Sequence, residues 1–253
     1  MGLFSFFSKK KETKRADNID LSLVQTDMHA HLLPGIDDGS QDMEQSIAMI
    51  DGLQKLGYQK LICTPHVMYG HFQNSTATIL DTLGRLKQEL LTRNIHIDID
   101  ASAEYNFDQE LKERLENDDI LSFGNDDYRY LLFELSYYNE PIGLDELISK
   151  IKEKGYIPVL AHPERYPYFA MNTNKYQELA NKGVLLQINL NSLSGLYPGA
   201  AKMAAEWLLD NELVHFIGTD AHRIDHVERL NDALKSEKLH NFIEKGNLMN
   251  QYL

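Results

Sequence analysis

Leu23 to Gly57, LVQTDMHAHLLPGIDDGSQDMEQSIAMIDGLQKLG, reads as one complete strand–turn–helix unit. LVQTDMHAH is strand-like, and Pro34-Gly35 turns the chain. From Ser40 the apolar residues Met43, Ile47, Ile50 and Leu53 fall at helical spacing, with Gly57 as a C-terminal stop. Residues two apart in a strand share a face, so His29 and His31 can aim at one point. Asp37 or Asp38 can fold back over that point after the turn. A metal site is one reading of this crowding; a histidine-bearing strand followed by a polar loop is the other.

The same alternation runs outward along the chain. YQKLICTPH, IHIDIDASAEY, YLLFEL, YIPVLAHPERY, VLLQINLN and LVHFIGTDAH read as further strands. TATILDTLGRLKQELLTRN, GLDELISKIKEKG, NKYQELANKG and GAAKMAAEWLLDN are helices among them, and helical sequence follows the last strand. About seven strand–helix units imply parallel strands covered by helices. At 253 residues the expected fold is α/β, a closed or nearly closed seven-stranded TIM-like barrel rather than an open doubly wound sheet. No glycine-rich dinucleotide or P-loop fingerprint follows the first strand, which removes the commonest open-sheet functions.

With 43% hydrophobic residues the chain can build a full core, and its one cysteine, Cys63, leaves neither a disulfide framework nor a thiolate metal cluster. A reducing cytoplasm fits that usage. The net charge is −13, unevenly spread: residues 1–15 carry +4 and the remainder −17. So acidic a body argues against nucleic acid as a partner. The head, MGLFSFFSKKKETKR, has too short an apolar stretch for a signal peptide and fails the myristoylation pattern at Phe6. Residues 1–20 are therefore expected to form a flexible or membrane-peripheral tail, with weak membrane-surface contact through residues 1–15, and residues 21–253 the barrel.

Position carries the chemical signal. His29 and His31 end the first strand, His66 the second, Glu104 the third, Glu134 the fourth and His162 the fifth, while Asp220 and His222 end the last. In a barrel those ends converge on one rim, where active sites are built from several strands. Each residue alone has an ordinary structural explanation; their joint placement does not. The other five histidines (His71, His96, His215, His226 and His240) are read as structural or surface residues. Nitrogen and oxygen donors in this number suit two or three ions, and imidazole with carboxylate points to Mn, Fe or Zn. Such a cluster implies hydrolysis, at phosphorus above all.

In order and spacing, HAHLLPGIDDG, TPH, AEYNF, LFEL, LAHPERY and GTDAH resemble the motifs of the PHP superfamily, and most closely its bacterial capsule-type protein-tyrosine phosphatases. The resemblance spans Thr26 to His222. It implies a distorted seven-stranded barrel with a trinuclear centre that removes phosphate from tyrosines of bacterial tyrosine kinases governing exopolysaccharide export; two or three divalent ions are expected here, Mn first, with Fe or Zn as alternatives. By motif position, His29, His31, Glu104 and Asp220 would hold a first metal. Glu104 would bridge to a second, completed by Glu134 and His162, and Asp38, His66 and His222 would hold a third. Arg165 in HPERY matches the phosphate-positioning arginine. The family often has a second arginine after the last histidine; position 227 is Val227, leaving Arg223 or Arg229 as candidates.

The expected mechanism is in-line attack on phosphorus by metal-activated hydroxide, with Arg165 stabilising the developing charge and either His222 or a metal-bound water giving what little assistance the departing phenolate needs. Tyr69, Tyr105, Tyr137, Tyr138, Tyr166 and Tyr168 near strand ends are candidates for an aromatic wall. Cysteine-phosphatase chemistry is excluded because Tyr69, not arginine, stands six residues after Cys63. Rival readings are a histidinol-phosphate phosphatase of the same superfamily, an exonuclease relative, and a non-catalytic metal-stabilised kinase-binding module.

Overall fold

The computed structural model describes residues 19–125, 127–170 and 172–253. The expected membrane contact of residues 1–15 lies outside them. Among the described residues there are ten strands: β1 (Thr26–Ala30), β2 (Lys60–Cys63), β3 (His66–Val67), β4 (Asp98–Ala101), β5 (Glu104–Asn106), β6 (Phe123–Gly124), β7 (Arg129–Glu134), β8 (Ile157–Ala161), β9 (Leu185–Asn189) and β10 (Phe216–Gly218). One parallel sheet runs β1-β2-β4; the other runs β10-β9-β8-β7-β5-β3, with β6 antiparallel on β7. The fold is mixed α/β with parallel sheets.

Two expected strands are each broken in two. YQKLICTPH divides into β2 and β3 at Thr64-Pro65, because Pro65 has no N–H to give a ladder. IHIDIDASAEY divides into β4 and β5 at Ser102-Ala103. Backbone bonds carry the ladder across the breaks: Thr64 N donates to Ala30 O (2.8 Å), Ser102 N to Cys63 O (2.8 Å) and Glu104 N to Pro65 O (3.0 Å). The chain thereby passes from one sheet to the other, and His66 comes to lie opposite Glu104 in register.

The remaining edges, β1 and β10, meet through an Ala30–Ala221 bridge. His31 N donates to Ala221 O (3.0 Å) and Asp220 N to His29 O (2.8 Å). Two buried side chains substitute for ladder bonds there. Asn250 Nδ2 donates to Thr26 O (2.9 Å) and Ile217 O (2.7 Å), and its Oδ1 accepts from Ile217 N (3.0 Å). Asp27 accepts from Thr219 N (3.0 Å) and Oγ1 (2.6 Å); burial lifts its carboxyl to about 6.

Helices cover the sheets: α1 (Met43–Lys55), α2 (Thr76–Thr92), α3 (Gln109–Glu116), α4 (Leu144–Glu153), α5 (Pro167–Ala170), α6 (Asn174–Asn181), α7 (Asn191–Ser194), α8 (Gly199–Asp210), α9 (Ile224–Ala233) and α10 (Glu237–Glu244). Asp42 caps α1 by accepting from Gln45 N, and Ser75 caps α2 by accepting from Thr78 N. The large core lies between helices and strands. A second apolar cluster, with Met28, Ile62, Leu132, Val159 and Phe216, gathers side chains from β1, β2, β7, β8 and β10. Each such fully buried side chain contributes about 1.5–3 kcal/mol, enough to fix the strands whose ends carry the polar groups. Among the described residues no helix is long and apolar enough to cross a membrane.

Candidate metal centre

All nine side chains singled out by position come together. Four sets bring one donor atom per residue within 4.8 Å of one another: His31, Asp38, His66 and His222; His29, His31 and Asp220; His29, Glu104 and His162; and His66, Glu104 and Glu134. Glu104 joins two sets, as a bridging carboxylate would. Glu134 falls with His66 and Glu104 rather than with His162. The backbone is bent to achieve this. His162 (φ 35°) and Asp220 (φ 50°) occupy the left-handed region, which non-glycine residues enter at a cost and which clusters at functional sites.

Gly39 and Gly218 are there because nothing larger fits. A Cβ on Gly39 would lie 2.4 Å from both Cβ and O of His31, and one on Gly218 would lie 2.7 Å from the Cβ of His29. Gly218 lets neighbouring backbone press against His29 of β1, and Gly39 against His31 just beyond it.

Outer acceptors set the ring orientations. His31 Nδ1 lies 2.8 Å from Asp37 Oδ2, and His222 Nδ1 lies 3.0 Å from the carbonyl of Asp220. Both oxygens only accept, so each imidazole carries its proton on Nδ1 and turns Nε2 inward. His29 Nδ1 faces Gln187 Oε1 at 2.9 Å in the same manner. Asp37 also accepts from Gly39 N (2.9 Å) and His66 N (3.1 Å), which makes it the support of the cluster rather than a member.

The donors fit a group of cations. Nε2 of His29 and Nε2 of His31 face each other at 3.3 Å. Glu104 Oε2 lies 3.2 Å from His29 Nε2 and 3.1 Å from His66 Nδ1, and Glu134 Oε1 lies 3.3 Å from the same Nδ1. Yet among the described residues His66 Nδ1, Glu104 Oε2 and Glu134 Oε1 are buried without a hydrogen-bond partner. Orphaned buried polar atoms cost about 1–3 kcal/mol each, and here they converge on shared points. Burial works against charge on both His66 and Glu104, but attraction prevails: Glu104 raises His66 to about 10, while His29, and after it His66, hold Glu104 well below the usual carboxylate range. Asp38 falls to about 2 through its hydrogen bond to His222, and its side chain, 59% exposed, marks the open mouth of the cluster.

Arg165 spans that mouth. Its Nη1 donates to Asp220 Oδ2 (2.7 Å), and its guanidinium lies over the rings of Tyr197 (4.2 Å) and Tyr137 (4.9 Å). A cavity of about 400 Å³ opens on one side, lined by Asp38, His66, Met68, Phe72, Glu134, Tyr137, Tyr138, Arg165 and His222 among others. A second, of about 350 Å³, opens on the other beside Tyr197 and Arg223.

Of the six tyrosines, only Tyr137 and Tyr138 line the cavity. Tyr105 and Tyr166 are core residues whose hydroxyls accept from Leu121 N and Leu135 N. Tyr168 braces the rim by donating to Ser136 O, and Tyr69 is exposed. Val227 is buried, and the methyl of an alanine at Gly52 would meet it at 2.8 Å, so this position leaves no space for arginine. Arg223 lines the second cavity and pairs with Asp225, whereas Arg229 is exposed on α9. Cys63 is buried, and burial pushes its thiol up, away from nucleophilic use.

Residues 25–248 match the family described as "Capsular polysaccharide synthesis, CpsB/CapC". The chain belongs to the CpsB/CapC family. Tyrosine-protein phosphatase YwqE of Bacillus subtilis is 31% identical over 198 residues, 78% of this chain and 77% of YwqE. A crystal structure reported for YwqE of B. subtilis and CpsB of Streptococcus pneumoniae, "unique metal-dependent tyrosine phosphatases", aligns with TM-score 0.76 at 28% identity, covering 90% of this chain and 94% of that one. Histidinol phosphate phosphatase from Lactococcus lactis, in complex with zinc, L-histidinol and phosphate, shares the fold at TM-score 0.54 and 16% identity, covering 88% and 94%. The stretch shared within the CpsB/CapC family contains all nine clustered donors and Arg165.

Proposed function

We propose that this chain is a metal-dependent protein-tyrosine phosphatase acting on a bacterial tyrosine kinase that controls capsule or exopolysaccharide synthesis. The observation that carries the reading is the convergence of nine imidazole and carboxylate donors, several of them orphaned, beneath a restrained arginine. His29, His31, Asp38, His66, Glu104, Glu134, His162, Asp220 and His222 would hold two or three divalent ions, manganese first, iron or zinc as alternatives. When bound, such ions activate water and neutralise phosphoryl oxygens.

The chain's own groups do the rest. Arg165, fixed by Asp220 and two tyrosine rings, meets a phosphate with little loss of freedom. Arg223 is the candidate for a second contact. Tyr137, Tyr138 and Phe72 flank the space for a phenyl ring. A phenolate leaves readily, since its reference pKa is about 10, so little acid assistance is needed; His222, with Nδ1 engaged by the Asp220 carbonyl and Nε2 turned to the cluster, is assigned to metal holding rather than proton donation. The single bridge and two side-chain links between β1 and β10 support reading the two sheets as one distorted seven-stranded barrel, with β2/β3 and β4/β5 each counting once. The lone buried thiol fits a cytoplasmic location. The head is assigned a weak membrane contact; deleting residues 1–15 should reduce sedimentation with anionic vesicles, and unchanged sedimentation would reject it.

The test is phosphate release by the chelator-stripped chain reloaded with Mn²⁺, with a phosphotyrosyl peptide and histidinol phosphate side by side. The peptide should be preferred by at least about 10-fold in kcat/KM, and Arg165→Lys should lower that value about 100-fold. Preference for histidinol phosphate overturns the substrate; silence on both with metal bound overturns the enzyme.

A further inference from the structure

Strand β9 supplies none of the nine donors, yet two of its side chains point into the cluster fully buried: Gln187 and Asn189. They form a continuous chain. His29 Nδ1 lies 2.9 Å from Gln187 Oε1, Gln187 Nε2 lies 3.0 Å from Asn189 Oδ1, and Asn189 Nδ2 lies 2.6 Å from Asp220 Oδ2. Two cluster residues, His29 of β1 and Asp220 just beyond β10, are thus joined through a pair of neutral amides.

The polarity of this chain is forced from its ends. The carboxylate of Asp220 only accepts, so Asn189 must present its NH₂ there and its oxygen to Gln187. Gln187 must then donate with Nε2 and expose Oε1. That oxygen receives two groups, His29 Nδ1 and the backbone N–H of His162 at 3.3 Å, which fill its two lone pairs. His29 is thereby obliged to carry a proton on Nδ1 and to leave Nε2 for the cluster. Reversing both amides would set oxygen against oxygen at Asp220 and drive the His29 proton onto Nε2. The close approach is built in: a Cβ on Gly218 would lie 3.0 Å from Gln187 Nε2 as well as 2.7 Å from the Cβ of His29.

We infer that Gln187 and Asn189 are positioning residues, a directional amide relay that fixes the His29 tautomer and the Asp220 carboxylate together for metal binding. The inference rests on the reading of His29 and Asp220 as metal ligands, and it predicts coupling. Breaking the relay at either amide should weaken metal binding by about 10–100-fold, the usual effect of losing an outer-shell partner. Breaking it at both should cost little more than breaking it at one, because the two amides act as a unit.

The measurement is Mn²⁺ affinity of the chelator-stripped full chain, by competition with a fluorescent chelator, for Gln187→Met, Asn189→Leu and the double variant. Should either apolar variant fail to fold, Gln187→Asn stays polar but is one methylene short of both His29 and Asn189, and it should show the same loss. Long-range ¹H–¹⁵N spectra of the Zn²⁺-loaded chain supply a readout that simple packing would not move: the His29 Nδ1 proton should be protected from exchange in wild type and at least about tenfold less so in Gln187→Met. Losses that multiply in the double variant, or affinities within twofold of wild type, would overturn the relay. A wild-type chain that binds no Mn²⁺ would instead overturn the metal reading beneath it.

Discussion

Replacing Asp37 by asparagine exchanges one oxygen for an NH₂ group and leaves volume unchanged, yet it breaks the support of His31. Asp37 Oδ2 accepts from His31 Nδ1 and His66 N, while Oδ1 accepts from Gly39 N. An amide oxygen placed on the first pair turns its NH₂ against Gly39 N–H and leaves that buried donor unpaired, at about 1–3 kcal/mol. The bond to His31 also changes from charge-assisted to neutral, losing roughly 1 kcal/mol more. The reverse placement is worse, since NH₂ would then face two donors. His31 would lose both basicity and orientation, and metal affinity should fall about 10–100-fold, equivalent to roughly 1.4–2.7 kcal/mol. Competition of Mn²⁺ against a chelator measures this directly, with circular dichroism as the check that the chain remains folded. Affinity within twofold of wild type would refute the claim that Asp37 holds His31 for binding.

Gly39→Ala should act on the same loop by crowding. Its methyl would press on the backbone and Cβ of His31 at 2.4 Å, an overpacking cost of about 1–3 kcal/mol, seen as a fall in Tm of roughly 3–10 °C without metal. An unchanged Tm would show that the loop yields freely. His215 stands apart from the cluster, and its Nδ1 accepts from Leu186 N at 3.1 Å. Burial lowers its pKa below the ordinary 6.5, so the folded chain resists a proton that the unfolded chain accepts. Stability should therefore be unaffected by this group above about pH 6.5 and fall as the pH drops below it. His215→Asn, which offers an acceptor without titrating, should flatten that part of a urea-denaturation profile between pH 7.5 and 5; parallel profiles would reject the assignment.

The cluster was legible because eight of its nine side chains stand where an apolar strand runs out, and strand ends on one side of a parallel sheet must meet; Asp38 lies instead in the loop after Pro34-Gly35. Charge at those positions is costly unless shared, which made coincidence informative. The supports were not legible for the same reason. Gln187 and Asn189 are uncharged and sit in LLQINLN with nothing to mark them, and Asp37 is chemically identical to its neighbour Asp38 until the turn shows which of them faces His31. Tyr197 lies in a loop far in sequence from Arg165, so their stacking is a tertiary fact. Pro65 could have announced the break between β2 and β3, but Ser102-Ala103 carries no comparable signal. Proximity to a strand end overstated the aromatic wall: Tyr105 and Tyr166 turn into the core, where backbone N–H groups engage their hydroxyls.

The most direct test is anomalous diffraction at the manganese edge from crystals of the Mn²⁺-loaded chain. Two or three peaks should lie among His29, His31, Asp38, His66, Glu104, Glu134, His162, Asp220 and His222, with neighbours about 4 Å apart and Glu104 touching two of them. A single peak, or peaks away from these side chains, would contradict the account.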